Sequence, residues 1–168
     1  MNDAELLDLA ARVGALLQAR QLMLTTAESC TGGLIAGAVT AIAGSSAWFD
    51  RGFVTYSYAS KTDLLGVPAA TLERFGAVSE PVARAMAEGA LAHSEAAVAV
   101  AVTGIAGPAG GTPDKPVGMV CFGWALRGVA TSVETISFPG DRAAVRALSV
   151  RHALAGVLIR LDSYPAGG

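Results

Sequence analysis

The sequence predicts an α/β fold, a single-domain three-layer α/β/α sandwich in which helices cover both faces of a mixed, mostly parallel sheet. The chain has 168 residues, the size of one ordinary domain, and 52% of them are apolar while 15% are charged. Segments of helical and strand periodicity alternate along it, which is typical of this fold class. No repeat or long linker interrupts them, and we therefore expect residues 1–168 to form one domain.

Local patterns predict each element in turn. The first strand, residues 22–28, leads through two glycines into a short helix. A strand at 49–58 alternates its two faces, and the apolar run at 96–103 is typical of a strand buried on both faces. Ser79 and Asp141 are the expected N-caps of two longer helices. In chain order, the prediction is helix 4–20, strand 22–28, helix 34–41, strand 49–58, helices 60–65, 69–75 and 81–94, strand 96–103, a hairpin of strands 117–126 and 131–138, and helix 141–161.

Composition excludes several classes of protein. The net charge is −2, and the 12 Lys and Arg residues form no basic stripe, so we expect no nucleic-acid partner. No apolar run is long enough to span a membrane. The amino terminus lacks the pattern of a signal peptide, and Cys30 and Cys121 do not make a disulfide framework. We therefore expect a cytoplasmic protein with reduced thiols.

The sequence contains no motif for a metal or a cofactor. His93 and His152 are its two histidines, and they lie far apart without clustered cysteines. The glycine-rich run at 103–111 follows a predicted strand but contains neither the dinucleotide-binding pattern nor the P-loop pattern. We expect no metal site and no cofactor.

Polar and glycine residues follow four of the predicted elements. Ligands of open α/β sheets bind beyond the carboxyl ends of the parallel strands. The segments at 28–33, 56–58, 103–104 and 139–142 end or follow strands in this way. If the strands are parallel, these segments converge on one crevice, and we expect the functional site there.

Ser29 ends a predicted strand and precedes a glycine-containing helix start. Such a turn can present a nucleophile, while the unpaired N–H groups at Gly32 and Gly33 face an anion. A plain helix cap is the alternative for Ser29 or Thr31, and the local sequence alone favours it. Cys30 is a rival nucleophile, but no histidine is near it in sequence, and a small buried residue explains it too.

Lys61 is one of two lysines in the chain. Ser60 and Asp63 fit a capping box, which places Lys61 in the first turn of a helix. The helix field there lowers the pKa of the amine and favours the neutral form that a general base needs. An exposed lysine whose charge reaches water is the alternative. Tyr56 lies on the strand before this turn, either as part of a proton relay or as a half-buried strand residue.

Two arginines and a Gly-Ser-Ser segment are candidates for binding an anion. Arg142 and Arg146 lie one turn apart at the start of the last helix, where an anionic ligand would balance their charge. A solvated helix face explains them as well. Gly44, Ser45 and Ser46 are another possible phosphate or hydroxyl contact, although a simple helix end at Gly44 accounts for that glycine.

Five motifs of the chain, taken together, resemble one family. They are TAESCTGG at 26–33, GSSAWF at 44–49, RGFVTYS at 51–57, GAVSEP at 76–81 and TGIAGP at 103–108. In this order they resemble the CinA carboxy-terminal domain family, the nicotinamide-nucleotide amidases. The resemblance runs from the first helix to the last.

The resemblance implies hydrolysis of the carboxamide of nicotinamide mononucleotide, giving nicotinic acid mononucleotide and ammonia in pyridine nucleotide recycling. It implies a serine amidase without a metal, in which Ser29 is the nucleophile, Lys61 the base and Tyr56 an assisting group. Thr103, with Gly104 beside it, and Arg142 match positions expected around the nucleotide, together with Thr31, Gly32, Gly33, Gly44, Ser45 and Ser46.

The resemblance also leads us to expect a homodimer. Many family members carry an additional amino-terminal domain of the molybdopterin-binding type, and no activity of that domain is expected of this chain. Two other classes stay open at this point. One is a nucleotide sensor without catalysis, and the other is an interaction module linked to competence or DNA damage, as an older name of the family suggests.

Overall fold

The computed structural model describes residues 3–166 and has the predicted three-layer α/β architecture. Residues 1–2 and 167–168 of the predicted domain lie outside the described residues. A 3₁₀ turn at Ser45–Ala47 precedes the second strand. The elements are α1 (Asp3–Ala19), β1 (Leu24–Glu28), α2 (Leu34–Thr40), β2 (Phe49–Val54), α3 (Tyr58–Leu65), α4 (Ala69–Phe75), α5 (Glu80–Ala92), β3 (Val98–Gly104), β4 (Met119–Leu126), β5 (Ser132–Ser137) and α6 (Arg142–Ser163).

The five strands form one sheet in the order β2-β1-β3-β4-β5. β1 is parallel to both β2 and β3, whereas β4 is antiparallel to β3 and to β5. Four strands therefore point the same way, and β4 is the antiparallel strand that the hairpin predicted. Glu28 pairs with Val54 on one side and Val102 on the other, so the carboxyl ends of β2, β1 and β3 lie side by side.

Helices cover both faces of the sheet and divide the core in two. In β3, the valines pack with α1, α2 and α6, while Ala99 and Ala101 pack with α5 on the other face. The small residues let α5 approach closely, and a Cβ built on Gly123 would lie 2.5 Å from the carbonyl oxygen of Ala83. Within residues 3–166, no helix is long and apolar enough to cross a membrane.

The largest difference from the predicted elements is at the end of β2. The strand ends at Val54, because its neighbour β1 ends at the paired residue Glu28. α3 then begins earlier than predicted, and its capping box is formed by Ser57 and Ser60, not by Ser60 and Asp63. Lys61 is consequently the fourth residue of the helix and lies beyond its first three. The other predicted boundaries lie within two residues of the observed ones.

Candidate active site

The site is built around the turn that follows β1. The N–H of Ser29 donates to the carbonyl of Val102 at 3.0 Å, which ties the turn to β3. Gly32 and Gly33 have φ values of +57° and +102°, in the left-handed region that favours glycine. These two residues reverse the chain into α2 and leave Ser29 at the surface of the crevice with 8% of its area exposed.

Glu28 anchors the turn from beneath and is fully buried. Its Oε1 accepts hydrogen bonds from the Thr31 hydroxyl at 2.6 Å and from the N–H of Ile35 at 2.9 Å, and its Oε2 accepts from the N–H of Ala36 at 3.0 Å. The carboxylate thus satisfies the first N–H groups of α2, where a negative charge is favourable. Neither Ser29 nor Thr31 caps α2. This role of Glu28 was not predicted from the sequence, although a carboxylate at the end of an uncharged strand was its signal.

Lys61 meets Ser29 in the interior. The Nζ of Lys61 donates to Ser29 Oγ at 2.9 Å and to the carbonyl of Thr55 at 2.6 Å, and the side chain is 1% exposed. Burial lowers its pKa to about 8, because neither partner carries a charge that would stabilise an ammonium. The alternative of an exposed lysine is therefore wrong. The sequence predicted a lowered pKa from the helix field, whereas the structure attributes it to burial.

Cys30 is next to Ser29 but is not activated. It is buried, and burial raises the pKa of its thiol to about 11, so the thiol stays protonated near neutral pH. Its backbone carbonyl accepts a hydrogen bond from Arg146 Nε at 3.1 Å. The structure thus favours the small buried residue over the rival nucleophile.

Several backbone N–H groups of the turn are unpaired. Within residues 3–166, no group of another residue accepts a hydrogen bond from the N–H of Cys30, Thr31 or Gly33. The N–H of Gly32, which was predicted to face an anion, donates instead to the carbonyl of Ser29 at 3.0 Å. Thr31 has no exposed surface, so the donors that an incoming oxygen can reach are those of Cys30 and Gly33.

Tyr56 and Arg142 meet at the mouth of the crevice. The Tyr56 hydroxyl accepts a hydrogen bond from Arg142 at 3.1 Å, and a second nitrogen of Arg142 donates to the carbonyl of Gly107 at 2.9 Å. Tyr56 is 63% exposed, so it is not the half-buried strand residue of the alternative. Among the described residues its hydroxyl makes no hydrogen bond to Ser29 or Lys61.

Thr103 and Gly104 form part of the wall, at the end of β3. The buried Thr103 hydroxyl donates to the carbonyl of Ala77 at 2.9 Å, so it already has a partner within the protein. A Cβ on Gly104 would lie 2.8 Å from a methyl group of Val120 on β4. Close packing accounts for this glycine.

The segment of Gly44, Ser45 and Ser46 lies elsewhere. It precedes Phe49, which pairs with Leu24 at the amino ends of β2 and β1, whereas Ser29 follows the carboxyl end of β1. Within one chain this segment does not reach Ser29, and its prediction as a contact in the same site is corrected. Gly44 has a φ of +83°, as expected of a simple helix end.

A cavity of about 660 Å³ opens beside the turn. It combines apolar side chains with the guanidinium groups of Arg142 and Arg146, which suits a ligand with a ring and an anionic group. A groove of about 680 Å³ between α1 and α6 lies away from Ser29 and Lys61. Among residues 3–166, no three His, Cys, Asp or Glu side chains are grouped so that they could hold a metal ion. The cavity is lined by Ala106, Pro108, Val117, Gly140, Asp141, Arg142, Ala143 and Arg146.

Comparison with known proteins agrees with this architecture. The competence/damage inducible protein CihA from Agrobacterium tumefaciens has the same fold, with a TM-score of 0.92 at 49% identity over 97% of this chain and 98% of that one. The nicotinamide-nucleotide amidohydrolase PncC of Enterobacter agglomerans is 56% identical over 146 residues, which is 87% of this chain and 89% of the relative. The model of the CinA C-terminal domain matches residues 6–161.

Fold and site together define a three-layer α/β protein with a buried serine–lysine contact. The chain belongs to the family of the CinA C-terminal domain. Some relatives are longer: the CinA-like protein of Akkermansia muciniphila is 56% identical over 142 residues, which cover 84% of this chain and 34% of the relative. The chain therefore spans about a third of the length of that relative.

Proposed function

We propose that this protein hydrolyses the carboxamide of nicotinamide mononucleotide to nicotinic acid mononucleotide and ammonia, in the recycling of pyridine nucleotides. The observation that carries the proposal is the contact of 2.9 Å between Lys61 Nζ and Ser29 Oγ in a buried position. The name of the Enterobacter agglomerans relative, an amidohydrolase of nicotinamide nucleotides, supports the substrate.

The proposed mechanism uses Ser29 and Lys61 in two steps. Neutral Lys61 takes the proton of the Ser29 hydroxyl, and Oγ attacks the carboxamide carbon. The N–H groups of Cys30 and Gly33 stabilise the resulting oxyanion. The lysine ammonium then protonates the leaving nitrogen, and ammonia departs. Water hydrolyses the acyl-enzyme with Lys61 again as the base, which restores the serine.

Binding of the nucleotide is assigned to the cavity beside the turn. Arg142 supplies positive charge for the 5′-phosphate at the mouth, and the fixed phosphate orients the carboxamide toward Ser29. Tyr56 assists by holding Arg142, the group with which it shares a hydrogen bond. Thr103 and Gly104 shape the wall behind Ser29, and Gly32 and Gly33 of the turn contact the reacting group. Thr31 was also expected to contact it, but this residue has no exposed surface and supports the turn through Glu28.

The test is release of ammonia from nicotinamide mononucleotide by the purified protein. Ser29→Ala is expected to lower kcat by on the order of 1,000-fold or more and to leave substrate affinity near normal, because the hydroxyl acts in the chemistry. Cys30→Ala is the matched control and keeps most of the activity. Loss of activity in Cys30→Ala with survival in Ser29→Ala would assign the nucleophile to the thiol.

The same assay, preceded by dialysis against a strong chelator, tests the other classes. We expect the rate to be unchanged by the chelator, since the proposed chemistry uses only side chains and backbone N–H groups of the protein. A protein that binds the nucleotide without releasing ammonia would be a sensor. A protein that does neither would fit an interaction module linked to competence or DNA damage; the name of the Agrobacterium tumefaciens protein refers to competence and damage.

Compartment, partners and assembly complete the proposal. We assign the protein to the cytoplasm, where its two free cysteines stay reduced, and we expect a small-molecule substrate with no nucleic-acid partner. We also expect a homodimer, as the family resemblance implies. Light scattering of the purified protein measures its mass directly, and a monomer at all concentrations would contradict this expectation.

A further inference from the structure

We propose that the free edge of β2 binds a second copy of this chain. The two β2 strands pair antiparallel about a two-fold axis at Gly52, which joins the two sheets into one continuous sheet. The same pairing brings residues 44–47 of the partner subunit to the mouth of the crevice. The pairing itself does not depend on the proposed function, whereas the role of the partner's segment rests on it.

β2 is an edge strand whose outer backbone groups face solvent. It pairs with β1 on one side and has no neighbour on the other within residues 3–166. The N–H of Thr55 donates to the carbonyl of Glu28 on β1 at 2.8 Å. Because successive residues of a strand direct their backbone groups to opposite sides, those of Gly52 and Val54 point away from β1. Both residues are exposed.

The surface of α2 beside this edge is free of charged side chains. Residues 29–49 contain none, although 15% of the whole chain is charged. This surface is continuous with the edge, because a Cβ built on Gly33 would lie 3.5 Å from a methyl group of the exposed Val54. Depletion of charge together with exposed apolar side chains is typical of a protein interface. The exposed residues of the uncharged stretch include Leu34, Thr40, Ala41, Ser46 and Ala47.

The opposite edge of the sheet is protected in a way that β2 is not. On β5, Glu134 contacts His152 at 2.8 Å and Arg160 at 3.5 Å. Charged side chains on an edge strand oppose pairing with another chain. The charged residues of β2, Asp50 and Arg51, instead form an ion pair with each other at 2.9 Å. The edge that is suited to pairing is therefore that of β2.

A second copy of the same strand is the occupant that complements this edge. Antiparallel pairing of two identical strands has two-fold symmetry, and facing residues exchange both of their hydrogen bonds. With the axis at Gly52, this residue faces Gly52 of the partner subunit, and Val54 faces the partner's Asp50. Each partly positive N–H then meets a partly negative carbonyl oxygen, so the edge is complementary in charge to its own copy. This register pairs residues 50–54, nearly the whole strand.

Antiparallel pairing carries the amino end of one β2 to the carboxyl end of the other. Tyr56 lies four residues after Gly52, about 13 Å along the strand direction, and Trp48 of the partner subunit lies at the same distance on the same side of the axis. The partner's Ser46, a position that is exposed in one chain, therefore borders the mouth beside Tyr56. Within one chain residues 44–46 lie at the far end of the sheet, and the second copy supplies them to the mouth.

The first test breaks the pairing and leaves the ladder with β1 intact. Val54→Pro removes an N–H that points away from β1, so it takes no hydrogen bond from the sheet of one chain. Val54→Thr has a similar shape, keeps the N–H and is the matched control. Light scattering should show dimers for the wild type and Val54→Thr. The dissociation constant of Val54→Pro should be at least about 100-fold higher, since the symmetry removes two hydrogen bonds at once.

Two results of this test overturn the proposal: a monomeric wild type, or a Val54→Pro dimer as tight as that of the wild type. Hydrogen exchange of the wild type decides if Val54→Pro does not fold. In the proposed dimer the amides of Gly52 and Val54 donate to the partner subunit, and we expect them to exchange at least about 100-fold more slowly than unstructured amides. Rapid exchange of both amides in a dimeric protein overturns the pairing.

Mixed dimers test whether the partner's segment borders the site. Ser46→Glu places a carboxylate where the 5′-phosphate is assigned, and repulsion should raise KM for the mononucleotide by about tenfold or more in the homodimer. Gln18→Glu, at an exposed position of α1, is the matched control. In a dimer with Ser29→Ala, the intact Ser29 of the Ser46→Glu chain faces the unchanged Ser46 of the partner subunit. Co-expression should therefore restore the wild-type KM, at about a quarter of the wild-type rate for random pairing.

The outcomes separate the two proposals. A protein that releases no ammonia contradicts the proposed function, while light scattering and hydrogen exchange still judge the pairing of β2. Mixed dimers whose KM stays as high as that of Ser46→Glu would show that the segment acts within its own chain, which overturns the role of the partner. A Ser46→Glu homodimer with the wild-type KM overturns that role as well.

Discussion

Lys61 shows how a single residue can be tuned by its surroundings. It is almost completely buried, and its hydrogen-bond partners are the Ser29 hydroxyl and the Thr55 carbonyl, neither of which is charged. Burial without a counter-charge favours the neutral amine and lowers the pKa to about 8. A lysine with such a pKa is partly deprotonated near neutral pH, as a general base must be.

The first prediction concerns the pH dependence of the reaction. We expect kcat/KM for ammonia release to rise with pH, with a midpoint near 8, and to level off once Lys61 is neutral. Lys61→Arg should lose roughly 100-fold or more in rate, because a guanidinium keeps its proton at these pH values. Rates between about pH 6 and 10 measure both effects. Substantial activity of Lys61→Arg with an unchanged pH profile would show that another group takes the serine proton.

Arg142 gives a second prediction at the same scale. It lies at the mouth of the cavity, exposed and held by Tyr56 and the Gly107 carbonyl. Arg142→Ala should raise KM for nicotinamide mononucleotide by roughly 10–100-fold, because one hydrogen bond to a charged group is lost. It should change KM for the riboside little, because the riboside has no phosphate. Steady-state kinetics on both substrates measure the difference. Equal effects on the two would place the phosphate away from Arg142.

Among the elements, α2 and α5 contain glycines with opposite surroundings. Gly37 of α2 is exposed, and a Cβ built on it would meet no atom within 4 Å. Gly89 of α5 is buried, and a Cβ there would overlap the carbonyl oxygen of Leu65 at the end of α3. The first glycine only weakens its helix, whereas the second permits two helices to approach each other.

The third prediction compares these two positions. Gly37→Ala should raise the free energy of unfolding by about 0.5–1 kcal/mol, since alanine favours a helix and meets no neighbour. Gly89→Ala should lower it by about 1–3 kcal/mol, because α5 must move away from α3. Urea unfolding of the two variants measures both values. A stabilised Gly89→Ala would show that the packing of α5 on α3 is not tight.

For the whole molecule, the burial of Lys61 lowers the free energy of unfolding by an amount that depends on pH. Its pKa falls from the ordinary value of 10.5 to about 8 on folding, so between these pH values the unfolded chain binds more protons. Stability then rises with pH through this interval. Below about pH 8, Lys61 is protonated in the folded protein as well as in the unfolded chain. Burial of its ammonium then lowers the free energy of unfolding by the full amount, about 3 kcal/mol.

The fourth prediction isolates this cost. The free energy of unfolding of the wild type minus that of Lys61→Met should increase by up to about 3 kcal/mol between pH 8 and 10.5. The difference is the appropriate quantity, because Cys30, whose pKa is raised, titrates in both proteins and lowers the stability of both at high pH. Urea unfolding at several pH values measures it. A difference that does not change with pH would mean that Lys61 titrates normally.

The sequence by itself determined the order of the elements and the single antiparallel strand, and it predicted the carboxyl end of the parallel strands as the place of the candidate site. Periodicity, caps and glycines are local properties, and they were enough to predict β3 as a strand buried on both faces and Asp141 as an N-cap. The position of Ser29 after β1 and before two left-handed glycines was also local information. The resemblance of five motifs to one family added the expected chemistry.

Only the tertiary structure decided how the side chains of the site meet. Ser29 and Lys61 are separated by 32 residues, and Cys30 and Arg146 by 116, so no local pattern could place either pair in contact. The choice of Ser57 as the cap of α3, and the position of Gly44 at the opposite end of the sheet, followed from where β1 and β2 pair. The burial that lowers the pKa of Lys61 has the same origin, because water is excluded only when β1, β2 and α3 come together.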